Sequence, residues 1–185
     1  TGLRIGEAVA LEWSDIDFGN STVSVTKAAA VVDGKQVCKA PKTKNSRREV
    51  SIPRFLTDRL HNLMIEQTKT KESLGAYWKG NNWLFTQSDG SMMSYSTPYA
   101  TFQDAIDRYN ADKEPADQLP HIPFHGLRHT SATLLIAAHQ DVRTVSNRLG
   151  HVQASTTMNI YAHALKENDR TASNALENML CKTGA

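Results

Sequence analysis

The sequence predicts an α+β domain that is mainly α-helical and carries a small antiparallel sheet. Three observations point there. Apolar residues recur at helical spacing over most of the chain. One early segment, "TVSVTKAAAVV" (22–32), is rich in β-branched residues and runs into an Asp33–Gly34 hairpin signal. The length, 185 residues without internal repeats, suits one domain with a sizeable core.

The elements follow in order. "TGLRIGEAVALEW" has helical apolar spacing, which predicts a helix over 3–13, broken by "SDIDFGNS". A strand over 22–32, a second over 35–41 ending at Pro41, and a third in "RREVSIP" form a predicted three-stranded meander. After Pro53 a stripe of Phe55, Leu56, Leu60, Leu63 and Met64 predicts a helix to about 68, then a polar loop over 69–82. "WLFTQ" reads as a short extended segment and "SDGS" as a turn. Ser96–Thr97–Pro98 opens a helix running to Asn110, and "ADKEPADQLPHIP" is a loop. Four helices complete the chain, over about 125–138, 141–148, 154–162 and 165–181. Because Thr1 already lies inside a helical pattern, residues 1–185 are expected to be a single domain cut from a longer protein.

Composition narrows the function. The chain is 39% hydrophobic and 22% charged, and no apolar run approaches the ~20 residues of a membrane span. Cys38 and Cys181 make neither a metal pair nor a disulfide framework, so a cytoplasmic setting is the simpler reading. The net charge is +2, but residues 35–54 hold seven basic side chains and one acid, Glu49. That concentration of Lys35, Lys39, Lys42, Lys44, Arg47, Arg48 and Arg54 suits a polyanion, although a solvated basic hairpin would look the same.

"HGLRHTSATLL" (125–135) offers the sharpest chemistry. His125 and His129 have the i, i+4 spacing of a zinc helix, but the residues between them are Gly-Leu-Arg. There is no glutamate base, and a guanidinium repels a divalent cation. The phosphate reading explains more: His125 and Arg128 share a face near a helix N-terminus, where backbone N–H groups favour anions, and arginine offers a bidentate fork. The bland alternative has His125 as a cap and Arg128 in an ordinary ion pair. Tyr161, ten residues after His151, is either a core residue or a phenol nucleophile helped by these cations.

"TGLRIGE", "PKTKNSRREVSI", "HGLRHTSAT", "LGH" and "MNIYAH" occur in the order and approximate spacing of the tyrosine recombinase (phage integrase) catalytic domain, which the chain resembles over essentially its whole length. The nearest flavour is that of integrases from prophages and conjugative transposons of Gram-positive bacteria. The resemblance implies the catalytic-domain fold of that family with its small three-stranded antiparallel sheet, and upstream DNA-binding domains in the longer protein. It implies that Arg4 and Arg128 grip the non-bridging oxygens of the scissile phosphate. Lys42, preferred over the neighbouring Lys44, would protonate the leaving 5′ oxygen, His125 would assist proton transfer, and His151 would hydrogen-bond the phosphate. Tyr161 would attack phosphorus and form a 3′-phosphotyrosyl link, with Glu7 and His129 in support. No cofactor, metal or ATP is implied, and the sequence accordingly has neither a P-loop nor clustered carboxylates for two metals. The implied partner is double-stranded DNA at recombination sites, bound by a tetramer; the apolar stripe of the helix over 165–181 (Ala172, Ala175, Leu176, Met179, Leu180) either packs on its own domain or, as the resemblance suggests, docks onto a neighbouring protomer. Two other functions stay open: a non-catalytic helix-turn-helix protein, with Val142, Val145 and Leu149 inward, which leaves the hairpin lysine and "HGLRH" without a job, and a type IB topoisomerase-like enzyme, with the same chemistry on one duplex without exchange.

Overall fold

The computed structural model describes residues 1–40 and 47–150, together with Ser173, Glu177 and Leu180. Among the described residues the order is α1 (Ile5–Val9), a 3₁₀ turn (Trp13–Asp15), β1 (Ile16–Asp17), β2 (Thr22–Val25), β3 (Ala28–Val32), β4 (Lys35–Lys39) and β5 (Arg48–Ser51). Then come α2 (Arg54–Leu74), a second 3₁₀ turn (Gly75–Tyr77), α3 (Thr97–Asn110), α4 (Gly126–Ala137) and α5 (Val142–Leu149). The mainly helical α+β class is observed. The helices expected over 154–162 and 165–181 lie outside the described residues, apart from Ser173, Glu177 and Leu180, which are helical and exposed.

The first helix is much shorter than 3–13. The Glu7 carboxylate folds back to accept from the Arg4 backbone N–H at 2.8 Å, which fixes the start. By Leu11 the chain has turned extended, because the Leu11 carbonyl accepts from Leu84 N–H at 2.8 Å and Glu12 bridges to Trp83. α2, in contrast, runs beyond 68 to Leu74. Its last turns are polar, so they bury no stripe for periodicity to detect, yet Lys, Glu and Gln are good helix formers in water.

The small three-stranded antiparallel sheet has different members from the meander read in the sequence. Its order is β1-β2-β5, with Val23 opposite Val50 and Val25 opposite Arg48. The expected 22–32 strand is cut in two at Thr26–Lys27. There the Lys27 ammonium is held by Glu12 at 3.2 Å and Asp15 at 3.0 Å. Among the described residues β3 then pairs with β4 alone, as a hairpin through Asp33–Gly34, where both residues have positive φ. β5 returns beside β2, not beside β4. β1 comes from the stretch read as a break, since two residues are too few to show alternation.

Three apolar clusters fix these pieces. Leu11, Ile16, Val23, Ile52, Leu60 and Leu84 join the sheet to α2 and to the 83–85 segment. Val9, Ala10 and Ala29 join α1 to the β3–β4 hairpin. A β-carbon on Gly6 would stand 2.4 Å from the Ala29 carbonyl oxygen, so only glycine permits this approach. Ala132, Ile136, Val145 and Leu149 lock α4 against α5. Each buried Leu, Ile or Val of this kind contributes roughly 1.5–3 kcal/mol. The third cluster matters most for the site, because it sets where α5 ends.

Candidate active site

α5 begins at Asp141, whose carboxylate caps Thr144 N–H at 2.9 Å, and ends at Gly150 in the left-handed conformation (φ 67°, ψ 44°). Helix ends leave carbonyls without intrahelical partners. Here three arginines from three distant segments take them. Arg48 Nε donates to the Arg148 carbonyl at 2.7 Å, Arg128 Nη2 donates to the Leu149 carbonyl, and Arg4 Nη2 donates to the Gly150 carbonyl at 3.0 Å. Cations at a helix C-terminus also complement its dipole. Arg128 Nη1 donates to the Gly2 carbonyl as well, which ties the start of the chain to α5.

Among the described residues the site has one buried acid. Glu7 accepts at Oε1 from Arg4 Nη1 (2.9 Å) and Arg48 Nη1 (2.9 Å), and at Oε2 from Arg4 N–H (2.8 Å) and Arg48 Nη2 (2.8 Å). Burial pushes its carboxyl pKa up. The hydrogen bonds and charges of Arg48 and Arg4 outweigh burial and bring it below the ordinary 4.5. The Arg48 side chain is 7% exposed and the Arg4 side chain 41%. Arg4 therefore faces both the acid and the surface, while Arg48 is enclosed. A cleft of about 240 Å³ opens beside them, lined by Arg4, Glu7, Lys27 and Tyr95 among others.

His125 occupies the N-cap position of α4 but makes no side-chain cap bond, so the capping alternative does not hold. Its ring stands edge-to-face on His129, with centroids 5.1 Å apart. Burial, then the charges of His129, Arg128 and Arg4, keep its imidazole below the ordinary 6.5. A neutral imidazole can take a proton, and this environment keeps it neutral to lower pH. In His129→Ala the His125 ring protons should titrate closer to 6.5 than in the wild type, because a neighbouring charge and some burial are both lost. An unchanged NMR titration curve would show that His129 does not tune His125.

Of the residues expected at the site, the structure brings together Arg4, Glu7, Arg128, His125 and His129. Arg4 and Arg128 donate to consecutive carbonyls, those of Gly150 and Leu149. Lys42, His151 and Tyr161, and the rival Lys44, lie outside the described residues. Arg48 was counted in the basic patch; it is instead buried against Glu7, and Arg54 begins α2. The strand pattern held a usable signal. Arg48 is two residues before the buried Val50, hence on the same face of β5.

A mainly helical α+β domain with guanidiniums converging on one helix end is a cationic site able to hold an oxyanion. The sequence matches the model of the phage integrase family over residues 1–168, and the chain belongs to that family. It is 31% identical over 191 residues to a tyrosine recombinase XerC-like protein of Caldanaerobacter subterraneus subsp. tengcongensis, covering 97% of this chain and 47% of that protein. It is 32% identical over 182 residues to the ICEBs1 integrase of Bacillus subtilis, covering 97% of this chain and 46% of that one. It is also similar to the solved structure of the Tn1549 transposon integrase in complex with transposon right end DNA. There the TM-score is 0.79 and the identity 26%, over 96% of this chain and 56% of that chain. The chain thus spans about half the length of the curated relatives it matches. Among the described residues, no helix is long and apolar enough to cross a membrane.

Proposed function

We propose that the chain is the catalytic domain of a site-specific DNA recombinase of the integrase type, metal- and ATP-independent, acting in the cytoplasm on duplex recombination sites. The observation that carries this reading is the convergence of Arg4 and Arg128, from segments far apart in sequence, on the consecutive carbonyls of Gly150 and Leu149. Family membership supports it.

In this mechanism the Tyr161 oxygen attacks the scissile phosphorus and gives its proton to the imidazole of His125. The bond from phosphorus to the 5′ oxygen breaks, Lys42 delivers a proton to that oxygen, and the DNA 3′ end remains on Tyr161 as a phosphodiester. Arg4, Arg128 and His151 hold the non-bridging oxygens as charge builds on them. Attack by the 5′-hydroxyl of a second strand reverses the step, so joining needs no external energy. Four protomers would assemble on paired sites, with the segment 165–181 docking onto a neighbour.

Covalent trapping tests the reading. The full chain is incubated with a duplex carrying its recombination site, nicked beside the scissile phosphate so that the released 5′ fragment diffuses away. A denaturing gel should show protein joined to the DNA 3′ end, and peptide mapping should place the join on Tyr161. Tyr161→Phe should trap nothing. Equal trapping by Tyr161→Phe would remove Tyr161 as nucleophile. A wild-type chain that binds the site but never traps would leave a DNA-binding protein without this chemistry.

A further inference from the structure

We propose that Arg48 is a positioning residue: by sharing the Glu7 carboxylate with Arg4, it leaves the Arg4 guanidinium available to the scissile phosphate. This rests on the recombinase reading above.

The geometry carries it. Glu7 is one negative charge facing two guanidiniums, and its two oxygens receive four donors, two from Arg48 and two from Arg4. Arg48 presents its fork to both oxygens, at 2.9 and 2.8 Å. From the Arg4 guanidinium, by contrast, one nitrogen bonds Glu7 and the other the Gly150 carbonyl. The carboxylate is thus matched chiefly by Arg48, and the cluster Glu7–Arg4–Arg48 keeps one net positive charge on its more exposed arginine. Without Arg48, both oxygens would be open to the Arg4 fork. A bidentate pair with Glu7 is the strong arrangement for an arginine and a carboxylate, and it would neutralise Arg4 and pull it from Gly150.

Both arms of the Arg48 fork are taken up by Glu7, and the side chain, 7% exposed, faces the acid. It is fixed from a third side by the Arg148 carbonyl at 2.7 Å. It also lies against the face of Gly150, where an added β-carbon would come within 2.8 Å of its Nη1. One side chain on β5 therefore sets the Arg4 charge and the backbone at the end of α5 together.

The test compares the full-length wild type, Arg48→Gln, Arg48→Lys and the double variant Glu7→Gln/Arg48→Gln. Three quantities are read for each: the thermal midpoint, affinity for the recombination-site duplex, and the single-turnover rate of adduct formation on the nicked duplex. Arg48→Gln should bind DNA within about twofold of wild type, because counterion release depends on exposed cations. Its adduct rate should fall about a hundredfold, the scale of one lost electrostatic contact to a transition state. The double variant should recover at least about tenfold of that rate, since no carboxylate is left to capture Arg4. Arg48→Lys, which keeps the charge without the fork, should lie between Arg48→Gln and wild type.

A purely scaffolding role would lower rate and midpoint together, with no rate recovery beyond what a restored midpoint brings. The proposal is overturned if Arg48→Gln forms adduct as fast as wild type, or if its loss appears in DNA affinity with the rate intact. It is also overturned if the double variant, folded, is no faster than Arg48→Gln. Should Arg48→Gln fail to fold, Arg48→Lys decides: folded and slower than wild type in adduct rate with unchanged affinity supports the role, and a wild-type rate overturns it. If the wild type itself forms no adduct, the recombinase reading falls first and this inference falls with it.

Discussion

Arg128→Ala is expected to lose strand cleavage almost completely and to destabilise the domain in the same step. Arg128 is only 4% exposed, on α4. Its guanidinium binds the carbonyls of Gly2 and Leu149, so truncation strips partners from two backbone acceptors far apart in sequence. Each buried carbonyl left without a donor costs about 1–3 kcal/mol. Removing this buried side chain also leaves a cavity. A loss of roughly 3–6 kcal/mol follows, read as a fall in the urea midpoint. Under the proposed mechanism the rate of adduct formation should fall at least a further ~10²–10³-fold among molecules that remain folded, since Arg128 would be one arm of the phosphate grip. Arg128→Lys separates the two effects. A single ammonium restores charge but cannot span both carbonyls, so part of the rate should return while the midpoint stays low. A normal midpoint in Arg128→Ala would show that the carbonyl contacts hold nothing.

Glu7→Ala is the second large effect, and it falls mainly on stability. The Arg48 guanidinium would stay enclosed with its carboxylate gone, and a buried charge robbed of its partner costs about 3–5 kcal/mol. For a domain of this size that is on the order of 10 °C in the thermal midpoint. The effect has a pH signature. The folded Glu7 pKa lies below its ordinary 4.5, so its contribution is fully present above 4.5 and is lost as pH falls through the folded value. The midpoints of wild type and Glu7→Ala should therefore converge in acid and stay apart near neutral pH. A gap independent of pH would mean that packing, not the ion pair, supplies the stability.

Much of this architecture was legible in the residues. The Asp33–Gly34 turn, the Ser96–Pro98 opening of α3 and the stripe of Val145 and Leu149 each carry local chemistry that decides the outcome nearby. What was not legible depended on partners elsewhere. Lys27 divides a β-branched run because Glu12 and Asp15 wait beside it, and no window around residue 27 shows that they will. The polar end of α2 has no stripe to detect. At the site, Arg4, His125 and Arg128 stood out because each sits in a motif. Arg48 did not, since a basic residue among six others reads as surface charge until its register with Val50 is considered. Gly150 carries a left-handed turn, but the sequence gives no hint that three arginines meet there.

The three arginines that close the end of α5 come from positions 4, 48 and 128, and reach forward across 146, 100 and 21 residues to their carbonyls. No segment of the chain can form this cluster by itself. Local helices and the β3–β4 hairpin can appear early in folding, but the cationic site exists only after loops of very different lengths have closed. A half-folded chain would hold its reactive groups apart. Under the proposed function, late assembly of this site would act as a safeguard: competence would arrive with the complete fold, and a nascent or partly unfolded copy would have no means of nicking DNA.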